Sequence, residues 1–200
     1  MTRARDVADR AIVTNAVGAT ELDLTDNYAF TGTVTGAGGG KVLQVQYTQY
    51  DSANTQAITA NTDTAITNLS VSITPTATNS IIKIESFLFC EYSAANWMAN
   101  TTFFFLRDTT KLSAPAAGNR RVGISFPSTG WHTSDVTASP DSGATVWFDS
   151  THNTTSQITY HLAMSSVYAG TLYVNRTVND SDNNEHERGV SFISATEIAG

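Results

Sequence analysis

Two alternating runs separated by a proline-containing stretch constrain the fold of this chain more than any other feature. Leu69, Val71 and Ile73 alternate with Ser70 and Ser72. From residue 81 to 92, Ile82, Ile84, Leu88 and Cys90 lean one way, while Lys83, Glu85 and Glu91 lean the other. A period of two is what a strand with one buried face requires, because successive side chains point to opposite sides of the sheet. Phe87 and Phe89 add aromatic bulk to the otherwise polar side. Between the runs, Pro75 fixes its own φ and offers no amide donor, so TPTATNS is turn chemistry that ends the ladder. The pattern predicts a β-hairpin over 69–92 with a connection of six or seven residues.

Comparable runs recur along the chain. Leu43, Val45 and Tyr47 alternate with Gln44 and Gln46, residues 56–59 make a short run, and 65–74 leads into the hairpin. Residues 101–107 form an apolar and aromatic run, as in a strand buried on both faces. Stretches at 122–126, 144–148, 158–165, 171–178 and 190–198 complete the set. Charged residues make up 14% of the chain, against roughly 25% in ordinary soluble domains, and Thr, Ser, Asn, Ala and Gly fill the difference. Thr favours strands, and Asn, Ser and Gly favour the turns between them. Nine or ten short strands spaced by such turns describe an all-β, antiparallel β-sandwich of jelly-roll type rather than alternating β and α units. The absence of a fixed-period repeat argues against a propeller or a β-helix.

The sandwich is expected over 41–200, with 1–40 as a separate segment. Val7, Ala8, Ala11 and Ile12 fall on one stripe of a short helix over 2–12, with Arg5 four residues before Asp9. A helix of that length needs something to pack against. Tyr28 to Thr35 suits a short strand, and the glycines of 36–40 then read as a hinge. A phosphate-binding loop would need a helix after those glycines, whereas Lys41 opens a strand-like run.

The net charge of −7, without any cluster of Lys and Arg, excludes ordinary nucleic-acid binding; Arg120 and Arg121 form an isolated pair. One cysteine rules out an internal disulfide, and on its apolar face Cys90 reads as a small buried hydrophobe. No window approaches the roughly 18 apolar residues of a membrane span, so no membrane insertion is expected. The start MTRARDVADR lacks the apolar core of a signal peptide, so release by lysis or within a particle is the expectation.

No cofactor or metal site emerges. His132, His152, His161 and His186 are not at metal-ligand spacing, and His161 sits on the strand face opposite Tyr160 and Leu162. Asp180, Asp182 and Asn184 imitate the start of a calcium loop, but Glu185 stands where its glycine belongs and Ser191 where its bidentate Glu belongs, so a solvated acidic loop is expected. No GxSxG occurs, and nothing sets the Glu185 and Glu187 carboxylates across a cleft, so no catalytic residue is assigned. Aromatic residues near turns are more suggestive. Tyr92, Asn96 and Trp97, together with Trp131 and His132, combine rings that stack on sugar faces with amides that take hydroxyls. Packing over the ends of the sandwich is the competing role for the same rings.

The segments TRARDVAD, LDLTDNYAFTGTVTGAGGGKVLQV, VSITPTATNSIIKIE, YVNRTVNDSDNN and FISATEIAG together resemble tail-fibre and related virion proteins of tailed bacteriophages, especially marine ones. The similarity covers nearly the whole chain. It implies a virion location, a homotrimer, and a short N-terminal region that docks on other virion proteins of tail or capsid, with Arg3, Arg5, Val7 and Ile12 as its expected contacts. It further implies a β-rich domain that binds a host surface glycan or protein without catalysis. Many relatives carry a long shaft before that domain, and here only about forty residues precede Lys41. A capsid decoration or head-fibre protein and a glycan depolymerase are the alternatives.

Overall fold

The computed structural model describes residues 40–93, 100–127 and 138–200. The helix expected over 2–12, with Arg3, Arg5, Val7 and Ile12, the strand at 28–35 and most of the glycine hinge lie outside the described residues. Ten strands follow in order: β1 Val42–Tyr50, β2 Asn54–Ile58, β3 Thr64–Ile73, β4 Ile81–Tyr92, β5 Thr101–Arg107, β6 Thr110–Leu112, β7 Asp141–Asp149, β8 Ile158–Ser166, β9 Gly170–Val174 and β10 Ser191–Ile198. Every pairing is antiparallel. The larger sheet runs β1-β10-β4-β9-β2, with β7 on the other edge of β4; the smaller runs β3-β8-β5-β6. The fold is the all-β sandwich that the alternation predicts.

The hairpin expected over 69–92 does not form. β3 pairs with β8 in the smaller sheet, and β4 pairs with β10, β7 and β9 in the larger. Residues 74–80 therefore cross from one sheet to the other. Leu69, Val71 and Ile73 of β3 and Ile82, Ile84 and Leu88 of β4 enter one core cluster from the two sheets. Stacked sheets lie about 10 Å apart, a span that seven residues cover easily. The crossing is pinned by Glu197 of β10, which is fully buried. Its carboxylate accepts from the Thr76 N–H at 2.7 Å, the Thr76 hydroxyl at 2.8 Å and Gln44 Nε2 at 2.6 Å.

The inner faces bury Ile58, Ile66, Phe103, Phe105, Ile158, Leu162, Met164, Leu172, Val174 and Ile193, together with Cys90. A second buried carboxylate, Asp149, sits at the end of β7. Arg107 Nη1 donates to both of its oxygens at 3.0 and 2.9 Å, and the Thr151 N–H and hydroxyl and the Tyr160 hydroxyl each donate at 2.9 Å. The network satisfies a charge that would otherwise be costly to bury.

β5 is buried on both faces, as its apolar and aromatic run predicts, and residues 123–125 pair along its edge beside Phe103. Lys111 Nζ rests 3.9 Å from the centre of the Phe104 ring. Ile124 donates its N–H to the Phe103 carbonyl at 2.8 Å. The strand expected at 122–126 reduces to a single bridge between Ser125 and Phe103, since Phe126 turns outward at 63% exposure. The run expected at 171–178 stops at Val174, where Asn175 takes a positive φ of 61°. Its amide there donates to the Tyr50 and Ser52 carbonyls at 2.7 and 3.0 Å.

The outer face of the larger sheet is unusually apolar. Register places Val45, Thr196, Lys83 and Phe148 in one row, Tyr47, Ser194, Glu85 and Val146 in the next, and Gln49, Phe192, Phe87 and Ala144 in a third. Tyr47 is 74% and Phe148 57% exposed. Phe87 and Phe192 stack with centroids 6.4 Å apart, and Lys83 pairs with Glu85 in the middle.

Candidate functional site

A cleft of about 580 Å³ opens at one end of the sandwich, lined by Asn100, Thr101, Thr102, Asn119, Arg121, Phe126, Pro127 and Val167. Its floor is the start of β5. Antiparallel pairing sets Thr101 opposite Ser166 and Thr102 opposite Ser165 at the end of β8, so four hydroxyl side chains gather where the two strands run out. One wall is the chain that runs along the edge of β5. Gly123 makes that close approach possible, because a Cβ on it would stand 2.7 Å from the Thr102 Cβ and 2.9 Å from the Phe103 carbonyl oxygen.

Arg121 spans this wall. Its Nη1 donates to Ser165 Oγ and its Nη2 to Asn61 Oδ1, both at 2.6 Å. Both acceptors are neutral, and Arg121 forms no ion pair among the described residues. Among the described residues its Nε has no hydrogen-bond partner, nor do the hydroxyls of Thr101 and Thr102, which are each only 1% exposed. All three atoms are sealed from solvent, so they belong to the packing beneath the cleft and not to its open surface. Asn100 holds a left-handed turn at φ 57°, a conformation that asparagine tolerates better than most residues, and its carbonyl accepts from the Val167 N–H at 3.3 Å. Phe126 contributes an exposed ring at the rim.

A smaller pocket of about 20 Å³ lies alongside, lined by Leu88, Cys90, Phe103 and Phe126 among others, with room for no more than a water. Burial, reinforced by the negative charges of Asp141 and Glu91, pushes the Cys90 thiol well above its ordinary range. A thiol so placed is a packing group rather than a nucleophile.

Of the residues expected at a binding site, Asn96, Trp97, Trp131 and His132 fall in 94–99 and 128–137, outside the described residues. Their nearest described neighbours along the chain include Asn100 and Pro127, and both line the cleft. Tyr92 is placed differently from expectation. It is 2% exposed, with its ring against Gly170 and its hydroxyl donating to the Tyr168 carbonyl at 2.7 Å, so it has no free face to stack on a sugar. Burial raises its pKa, against a lowering from a side-chain hydrogen bond with Ser166. Arg121, Thr101, Thr102 and Asn119 were not expected. The one signal that pointed there was an arginine pair in a chain of net charge −7.

The acidic loop behaves as a solvated ion-pair turn. Asp180 accepts from Arg188 Nε at 2.7 Å and stands 3.3 Å from Arg176 Nη1. Among the described residues no three His, Cys, Asp or Glu side chains come together as metal ligands. Comparison with protein-family models and with curated proteins finds no match.

Proposed function

We propose that this chain is a virion appendage protein of a tailed bacteriophage, a short fibre or tail tip whose sandwich binds a host surface receptor through the cleft at the end of β5. The observation that carries the receptor part is the cleft itself: about 580 Å³, with an exposed ring at its rim and two asparagines and a guanidinium in its lining. An apolar rim with a few converging polar groups is how small-ligand sites are usually composed. Aromatic, hydroxyl and amide groups together suit a saccharide, whose rings offer apolar faces and whose edges offer hydroxyls. The virion part rests on the five sequence segments that resemble tail-fibre and related proteins.

Self-association belongs to the same reading, and its surface is the outer face of the larger sheet. Exposed Tyr47, Val45, Phe148, Val146 and Phe192 make an apolar patch of the kind that soluble monomers rarely leave uncovered. Lys83 and Glu85 put both signs of charge in its centre, so a second copy of this chain meets complementary charges as well as complementary apolar surface.

Two measurements test the proposal. Gold-labelled antibody against the chain, imaged on intact particles, is expected at the tail; label distributed over the head overturns the tail assignment in favour of a capsid decoration protein. Purified protein mixed with host cells before infection is expected to slow phage adsorption. Unchanged adsorption removes the receptor-binding role, and release of reducing ends from host polysaccharide moves the protein into the depolymerase class.

A further inference from the structure

We propose that the larger sheet continues from copy to copy: β7 of one chain pairs antiparallel with β1 of a second copy, and repetition closes the copies into a ring. The inference rests on the self-association proposed above and adds the strands that form it.

A sheet ends in two strands whose outward N–H and C=O groups have no partner within it, and proteins normally blunt such edges with short strands, bulges, lysines or prolines. The smaller sheet does so. At one edge β6 is three residues long and carries Lys111; at the other, β3 breaks register with β8 between Ala65 and Ser70, where Asn68 takes a positive φ of 69°. The larger sheet is different. β10 and β4 are paired on both sides, which leaves β1 and β7 at its two edges. Residues 44–50 read QVQYTQY and residues 142–148 read SGATVWF, with no charge or proline in either. β1 breaks register only at its start, between Val42 and Gln44, and β7 pairs regularly from Asp141 to Asp149. Beyond the pairings with β10 and β4, no backbone–backbone hydrogen bond among the described residues involves 44–50 or 142–148.

The two edges fit each other. Directions alternate along β1-β10-β4-β7, so β1 of a neighbouring copy runs opposite to the β7 it joins. Setting Val45 of the second copy opposite Phe148, and Tyr47 opposite Val146, extends the outer rows without a slip and brings exposed apolar side chains together. Repeated, this step is head-to-tail, so it either closes into a ring or runs on as a fibre. A ring with the smaller sheets outside turns the outer faces towards one axis. There Tyr47, Phe148 and Phe192 are covered, and Lys83 and Glu85 of different copies face each other. A flat fibre leaves that apolar face in water, which is why the ring is assigned.

The test co-expresses two single-cysteine variants, Val45→Cys and Phe148→Cys, and oxidises them at a concentration where the wild-type chain sediments as an assembly. Cys90 is buried and gives no link of its own. Within one chain the two positions lie three strands apart, roughly 14 Å, too far for a disulfide. The expected result is a linked pair from the mixture, no link from either variant alone, and from the double variant a series of bands that stops at one size. Hydrogen exchange of the wild-type chain reads the same contact without substitution. Amides of 45–50 and 143–148 are all expected to be protected in the assembly, and every second one to exchange about tenfold or more faster once dilution gives monomer. Linking by either variant alone overturns the proposal, because like edges then pair, and a series of bands without end overturns the ring. Absence of links both from this mixture and from Tyr47→Cys with Val146→Cys also overturns it. Alternate amides that stay unprotected in the assembly do the same and leave association through the outer face. A chain that sediments as a monomer at every concentration removes the self-association proposed above as well.

Discussion

Two buried carboxylates set how this protein responds to acid. Burial by itself pushes the Glu197 pKa up, but the donors from Gln44, Thr76 and Ser80 outweigh it and bring it down to about 2, from 4.5. At Asp149 burial again pushes up, and the Thr151 and Tyr160 hydrogen bonds with the Arg107 charge hold the group below its ordinary range. A carboxylate with a lowered folded pKa contributes stability that is fully present above its unfolded value and is lost as pH falls through the folded one. Unfolding free energy is therefore expected to fall from about pH 4.5 towards pH 2, as measured by urea denaturation across that range. Glu197→Gln flattens the dependence and costs about 2 kcal/mol at neutral pH, because an amide presents a donor to groups that are already donors. Tyr160→Phe removes one donor from buried Asp149 and costs about 1–3 kcal/mol in the same assay. Burial first, and then the Asp149 charge, push the tyrosine pKa well above its usual value, so it stays a donor throughout the accessible range. Neither carboxylate announces itself in sequence. Glu197 reads as one more polar position in the last strand, and only its place opposite the 74–80 crossing turns it into an anchor.

The strands were legible in the sequence and their partners were not. Alternation in β3 and β4 reports one buried face per strand, and it reads the same for two neighbours in one sheet as for two strands facing each other across a core. What separates the cases is the connection, and the bonds that hold 74–80 come from residues far away along the chain. Residues 122–126 misled for a related reason. Val122, Ile124 and Phe126 alternate, yet this stretch makes only one bridge to the edge of β5, with Gly123 lying against Thr102. Gly123→Ala is expected to destabilise the fold by about 1–3 kcal/mol through forced displacement of that wall, and to weaken any cleft ligand in parallel. Thermal melts compared with ligand titrations check both halves. β6 leaves no mark in the sequence because three residues carry too little pattern. The buried β5 was recognisable because five consecutive buried positions leave no room for a polar face.

At the largest scale, the described residues form a sandwich with two surfaces left open among them: an apolar outer sheet face and a polar cleft at one end. The first predicts association. Sedimentation of the wild-type chain is expected to show an assembly, and Tyr47→Asp with Phe148→Asp to shift it to monomer without loss of β-sheet circular dichroism. The second carries the functional reading. Binding of labelled protein to host cells, compared between wild type, Arg121→Gln, Phe126→Ser and a Glu187→Gln control in the exposed acidic loop, tests it most directly. Loss of binding by about tenfold or more in both cleft variants, with the control unchanged, is the predicted result. Equal binding by all four proteins would contradict it.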